Sequence, residues 1–194
     1  QQNVFLHSVT RQYVVDGQEG VKQPIGREGR MLEADYHIIH GMRARIQNAI
    51  RCVREIPLEV EDVVFNPIAA AQVVLSREAK NNGSLMIDFG AGTADYVLYQ
   101  DGMITASGSV PLGGDHITND IALALQIPNG RAEKVKLEDA SCLYEGVPDD
   151  EILQIEDDGG LVIGEVERAF LNEVVYLRTK EILDQVRERC QDHL

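Results

Sequence analysis

Met86-Ile87-Asp88-Phe89-Gly90-Ala91-Gly92-Thr93-Ala94-Asp95 gathers residue types suited to an anion and its counter-ion. An apolar run ends in an acid, a small-residue turn follows, then a threonine and a second acid, Asp95. Gly90, Ala91 and Gly92 let backbone N–H groups approach an anion closely, and a turn can aim several of them at one point. Thr93 adds a hydroxyl donor. Asp88, at a strand end, can hold a hydrated Mg²⁺, the ion that accompanies nucleoside phosphates. The bland alternative is a hairpin turn with incidental acids. A dinucleotide fold needs Gly-x-Gly-x-x-Gly opening into a helix. Here Asp95 stands at the third glycine's position, and Tyr96-Val97-Leu98-Tyr99 reads as a strand. No Gly-x-x-x-x-Gly-Lys-Ser/Thr loop occurs. The motif therefore predicts a phosphate-type loop between two strands.

The elements around it follow from pattern. Leu85–Phe89, Asp95–Gln100 and Met103–Val110 read as three strands, with Asp101-Gly102 as a tight turn. Their short spacing predicts an antiparallel meander. His116–Gln126 and Arg131–Leu137 read as helices. Leu161–Ile163 and Ile152-Leu153 read as short strands in an acidic stretch. Glu165 to about Arg189 reads as the longest helix, with Val166, Phe170, Val174, Leu177 and Val186 on its apolar stripe. Upstream, residues 3–15 read as extended, Asp16–Gly29 as a long loop, and residues 30–39 as a second strand. Met42, Ile46, Ile50 and Val53 fall at helical spacing, with Arg43, Arg45, Arg51 and Arg54 between them. Val63–Phe65 reads as a short strand. Asn66-Pro67 reads as a cap followed by a first-turn proline, opening a helix from Ile68 to about Lys80.

Composition narrows the partners. The 194 residues carry a net charge of −14, with −4 on residues 1–131 and −10 on residues 132–194. That excess excludes nucleic acid and disfavours anionic lipid as partners of the last third. No run of about 18 apolar residues occurs, so nothing in the chain is expected to span a membrane; no other membrane contact is expected from the chain itself. Three widely spaced cysteines, Cys52, Cys142 and Cys190, argue against a disulfide framework and for a reducing compartment. The acidic surroundings of Cys142 and Cys190 disfavour a reactive thiolate. His37 and His40 are three apart with no third ligand in view, which suits ordinary structural histidines.

Hairpin phosphate loops of this kind mark the actin and chaperone ATPase superfamily, and Asp88–Asp95 resembles its second phosphate loop. Val110–Ala122, through Gly113 and Gly114, resembles the strand, glycine pair and helix that follow it. Ala132-Glu133-Lys134-Val135-Lys136 resembles the next helix, whose acid and lysine face ribose and adenine. By this resemblance Glu133 and Lys136 are nucleotide-binding. By spacing alone they are an ordinary surface ion pair worth a few tenths of a kcal/mol. Tyr13–Gly20, Pro24–Gly26, Gly29–Ala34 and Thr118–Ala122 are similar to the bacterial cell-division FtsA family, the first three to its small inserted subdomain.

The resemblance implies an α/β fold of the actin and chaperone, ribonuclease-H-like type. Residues 1–66 would be a partial SHS2-like inserted subdomain, and 67–82 a helix returning to the first actin-like half. Residues 83–194 would form the second half, with a small acidic subdomain at about 131–165. It also implies ATP and Mg²⁺ as ligands of the full-length protein, with Asp88 catalytic and the metal held through water. The phosphate contacts would fall to Gly90, Ala91, Gly92, Thr93, Asp95, Gly113 and Gly114. Slow ATP turnover is implied there, and none in this chain, where no tightly bound nucleotide is expected. The implied partners are FtsZ, further copies in a filament, and other divisome proteins through the inserted subdomain. The implied place is the cytoplasmic face of the inner membrane. A PilM-type pilus-assembly scaffold and a chaperone- or kinase-like ATPase share the fold and remain alternatives.

The chain opens on Gln1 and reads as an internal piece. The family's first phosphate loop, its adenosine loop and its membrane helix would lie outside it, as would the leading strand and helix of the inserted subdomain. Ala91 stands where the family has a glycine; a left-handed backbone there would cost about 1–2 kcal/mol.

Overall fold

A computed structural model describes residues 2–148, 151–156 and 159–193, and its contacts divide the chain into two units. The first holds residues up to Asp88 with Tyr96–Gly108 and His193; the second holds Phe89–Asp95 and Ser109–Asp192.

In the first unit, β1 (Asn3–Val15) lies between β2 (Gln18–Val21) and β3 (Leu32–Met42), antiparallel to both. Asp16 and Gly17 both take positive φ, 49° and 82°, which gives the primed turn that suits a two-residue hairpin. β2 corrects the expected long loop: glycines and a proline flank it, but buried Val21 anchors four residues in strand. The Asp16 carboxylate then accepts from the amides of Arg30 and Met31 and gathers the remaining loop. α1 (Arg43–Arg54) follows β3 directly, as its periodicity predicts, although none of its side chains is fully buried.

Val63–Phe65 is not a strand. Its amides go to side chains instead: Asp62 accepts from Val63, and His7 Nε2 accepts from Phe65. The expected single helix is two, α2 (Asn66–Val74) and α3 (Arg77–Asn82). Ser76 breaks the run by turning extended and accepting from the Ala79 amide at 3.0 Å, a side-chain cap. Asn66 caps nothing; it lies inside α2, whose cap position is Phe65, and Pro67 sits in the first turn.

β4 (Ser84–Phe89), β5 (Ala94–Gln100) and β6 (Met103–Val110) pair in chain order. Asp101 and Gly102 both take positive φ, 53° and 79°, again a primed hairpin turn. Connections this short permit only antiparallel neighbours, and no helix lies between Phe89 and Tyr99. Ala71, Val97, Tyr99 and Ile104 form a buried cluster in this unit, with Val9, Ile68, Leu75 and Met86 packed on it.

The second unit has α4 (Gly114–Leu125), α5 (Asn129–Glu138), the antiparallel hairpin β7 (Ile152–Glu156) with β8 (Val162–Glu167), and α6 (Arg168–Cys190). Its core joins Ile117, Ile121, Ala122, Ala132, Val135, Ile155, Leu171 and Val175. The α6 stripe corrects the sequence reading. Leu171, Val175, Ile182, Val186 and Cys190 are buried, while Phe170 is 43% and Leu177 56% exposed. Val166 belongs to β8. The buried stripe is interrupted by Arg178, a charge in an apolar row, and that interruption hides the row from a hydrophobic pattern.

Candidate functional site

The β4–β5 turn closes on itself through Gly90 N–H donating to Thr93 O at 2.9 Å. Its carbonyls are then taken by the start of α4. Gly114 N donates to Gly90 O at 3.0 Å and Asp115 N donates to Ala91 O at 2.8 Å. The first amides of a helix have no partner within it, and here the turn supplies two. His116 Nδ1 accepts from the Gly113 amide at 3.1 Å, which requires that nitrogen to be unprotonated. Gly113 is buried, and a Cβ there would lie 2.4 Å from Gly90 O and 2.6 Å from Ala91 O. Two stretches of backbone meet at a distance only glycine allows.

The expected strain at Ala91 is absent: positive φ among non-glycine residues occurs at Asp16, Asp101 and Gln126. Gly90 and Gly92 also stay out of the left-handed region. Ala91 and Gly92 are exposed. Among the described residues, the amides of Ala91, Gly92 and Thr93 meet no protein acceptor, and the Asp88 and Asp95 carboxylates meet no donor side chain.

One helical turn into α4, Lys136 reaches across from α5. Its ammonium donates to Glu133 Oε2 at 2.6 Å, Thr118 Oγ1 at 2.8 Å and Gly114 O at 3.2 Å. Three donors and three acceptors satisfy the ammonium fully. Thr118 is hydrogen-bonded to the Glu133 carboxylate as well. The Lys136 bond, then the Thr118 bond, hold the Glu133 carboxyl below its usual range. The pair is therefore no ordinary surface pair; Lys136 is mostly covered and tied to the backbone where α4 begins.

The structure thus joins Gly90, Ala91, Gly113 and Gly114 through backbone contacts, and Gly114, Glu133 and Lys136 through the ammonium. It bonds Asp88 and Asp95 to none of them. Thr118 and His116 are members that the sequence reading passed over; the spacing of Thr118 from Gly114, one helical turn, is the signal that finds it. Two further ties steady this unit. Arg178 bonds both Asp120 oxygens, at 2.5 and 3.1 Å, and buried Asn172 accepts from Ser141 N and donates to Leu143 O. The histidines serve separately: His37 Nε2 lies 2.8 Å from Ser107 Oγ, and His40 Nδ1 lies 3.2 Å from Asn3. Burial pushes the Cys190 thiol up.

Amides without a protein acceptor on a turn, a threonine hydroxyl and an uncommitted carboxylate at a strand end fit a phosphate with a hydrated cation. Among the described residues no three His, Cys, Asp or Glu side chains gather to chelate a bare ion, so water would have to complete the shell.

Comparison with known proteins places this arrangement in a family. A family model described as cell division protein FtsA matches residues 85–194, and one described as the SHS2 domain inserted in FtsA matches residues 1–40. The chain is 36% identical over 181 residues to cell division protein FtsA of Pseudomonas aeruginosa, covering 93% of this chain and 43% of that one. It is 30% identical to the Bacillus subtilis protein of that name, covering 98% of this chain and 43% of that one. It therefore spans less than half the length of these relatives. Two solved structures share the fold. MreB5 of Spiroplasma citri bound to ADP matches 78% of this chain and 48% of its own, with a TM-score of 0.60 and 21% identity. The PilM–PilN type IV pilus biogenesis complex matches 99% of this chain and 46% of its own, with a TM-score of 0.65 and 13% identity. These likenesses show an actin-type α/β fold. With one family model over more than half of its residues and a second over its first forty, the chain belongs to the FtsA family of cell division proteins.

Proposed function

We propose that the chain is part of an actin-like, ATP-binding protein that polymerises and tethers the FtsZ division ring to the cytoplasmic face of the inner membrane. The observation that carries this reading is the β4–β5 turn. Its carbonyls are committed to α4, and its outer amides are left for an anion. Direct phosphate contact falls to Ala91, Gly92 and Thr93, while Gly113 and Gly114 seat the turn. Asp88 and Asp95 flank it, with Asp88 holding Mg²⁺ through water. Glu133 Oε2 is taken by Lys136, so Oε1 is the atom we assign to a ribose hydroxyl. Lys136 positions that carboxylate and lies toward the base. Bound Mg²⁺–ATP supplies the anhydride bond and the charge these groups meet.

In this reading residues 1–66 form the inserted subdomain that other divisome proteins contact. Residues 67–82, now α2 and α3, return to the first actin-like half. Residues 83–194 belong to the second half, with the FtsZ-docking surface in the acidic stretch at 131–165. Arg168, just past that stretch, is tied to Glu151 at 2.5 Å and to Asp139 O at 2.7 Å, which favours a scaffold role for it over contact with a partner. Half a cleft cannot enclose a ligand, so the 194-residue chain should bind nucleotide no better than about millimolar.

Calorimetry with Mg²⁺–ATP on the full-length protein is the test. Asp88→Ala should weaken the Mg²⁺-dependent part of binding, and Glu133→Gln should weaken ATP more than a ribose-free triphosphate. Unchanged affinity in both variants sinks the reading.

A further inference from the structure

Arg43, Gln47, Arg51 and Arg54 stand at i, i+4, i+8 and i+11 of α1 and so form one stripe, rising ~6 Å per four-residue step. Arg45 lies well off it. All four arginines of α1 are exposed, and no carboxylate occurs from Tyr36 to Arg54. Among the described residues none of these arginines has an ion-pair partner, whereas Lys22, Lys136, Arg168, Arg178, Lys180 and Arg187 each meet a carboxylate. In a chain of net charge −14, three guanidiniums thus line one face of a helix with no carboxylate beside them. The same face borders a cavity of about 640 Å³, lined by Met42, Arg43, Ala44, Gln47, Asn48 and Arg51. Met42 is 54% exposed at its edge.

We propose that this stripe and cavity dock an acidic peptide segment of a partner protein, with one carboxylate on Arg43, another about 12 Å along the helix on Arg51 and Arg54, and an apolar side chain beside Met42. Guanidinium forks bind carboxylates with two bonds and tolerate partial burial, which suits a concave site. An anionic membrane fits less well. Ile46 and Ile50, on the apolar side of α1, are half-buried, and a Cβ on Gly41 would lie 2.7 Å from Ile46 Cδ1, so the middle of that side is seated on β3 and only Met42 and Val53, at its two ends, are exposed, too little to insert. A bilayer also meets the repulsion of the whole acidic body, whereas a short peptide senses charges within roughly 8–10 Å at physiological salt. The competing acidic source is a second copy, whose residues 132–194 carry −10.

Fluorescence anisotropy of labelled acidic peptides on the intact chain tests this. One peptide carries Glu at every fourth position and one at alternate positions, each with a single Leu, and Gln versions serve as controls. Saturable binding of a Glu peptide is expected, weakening with salt. The variant Arg43→Gln/Arg51→Gln/Arg54→Gln should bind at least about ten-fold more weakly, and Arg45→Gln within about two-fold. All three changes are at exposed positions, and circular dichroism checks the fold; Arg51→Gln alone should give a smaller loss of the same sign. Equal binding by the triple variant, or none by either Glu peptide at low salt, overturns the proposal. Self-association seen by sedimentation and lost in the triple variant reassigns the stripe to a second copy. Binding only to phosphatidylserine vesicles reassigns it to a membrane.

Discussion

The β1–β3 sheet with α1 and the helical unit of α4, α5 and α6 reach defined structures by different means. β3 pairs with β1 over eleven positions, yet Ile39 is its one buried residue, and α1 has none. α6 alone buries six side chains, among them Leu171, Ile182 and Val186 at 1% exposure or less. One region is specified chiefly by its hydrogen-bonded register and the other by its core. A ladder fixes backbone while leaving side chains free to meet partners; a core fixes side chains, and with them the Thr118–Glu133–Lys136 cluster. The region with the arginine stripe and the region with the phosphate-type turn thus differ in what a mutation should do to each.

The largest contrast is in the cores. Ile121→Ala or Ile182→Ala, both at 0% exposure, should cost about 2–5 kcal/mol in urea unfolding. Ile38→Ala on β3, at 59% exposure, should stay within about 0.5 kcal/mol. Similar losses at the two sites would mean that the exposed face of β3 is covered in solution.

A glycine pair sharpens the comparison inside the second unit. Gly113→Ala drives a methyl group into two backbone carbonyls and should cost roughly 1–3 kcal/mol. It should also speed hydrogen exchange at the Gly114 and Asp115 amides, because the turn must back away. At Gly92 nothing lies within 4 Å of an added Cβ and φ is not positive, so Gly92→Ala should change stability by less than about 0.5 kcal/mol. A neutral Gly113→Ala would show that the turn is not seated on α4.

Arg178→Met comes next. It leaves Asp120 half-buried without its partner and should cost about 1–3 kcal/mol. Arg187→Met, at an exposed pair, should cost less than about 0.5 kcal/mol.

What the sequence makes legible follows the same division. The meander, both ends of the phosphate-type turn and the α1 periodicity are local patterns, and each forms where the pattern puts it. The α6 stripe is hidden from the sequence because Arg178 satisfies its charge through Asp120, fifty-eight positions away, which no window along the chain can see. The break at Ser76 is hidden too, because a capping serine looks like any polar residue until its hydroxyl is seen accepting from the Ala79 amide. Val63–Phe65 has strand composition, but His7 and Asp62 take its amides. For the candidate site, residue types were readable and their bonding was not: nothing in the spacing of Gly113 says that the turn's own carbonyls occupy the start of α4.

The smallest expected effect separates the regions by pH. His37, in the first unit, is held below its ordinary value of 6.5, chiefly by burial, with Arg11 and His193 adding to this and Asp35 opposing it. The unfolded chain therefore binds a proton on this histidine at a pH where the folded chain does not. Its contribution is complete above about pH 6.5, begins to fall as pH drops through that value, and levels off once the folded group also titrates. Glu133, in the second unit, is likewise held below its ordinary 4.5, by Lys136 and then Thr118. As a carboxylate it contributes fully above that value, and the contribution is lost as pH falls through the lower folded value. The first unit should thus weaken in mild acid while the Glu133 cluster stays intact. Urea midpoints measured from about pH 7.5 to about pH 5.5 should decline, and His37→Gln should flatten that decline while leaving the steeper loss below about pH 4.5 in place. Glu133→Gln should do the reverse. A mild-acid decline that persists in His37→Gln would place its origin in other groups, and the two regions would then not be separable by pH.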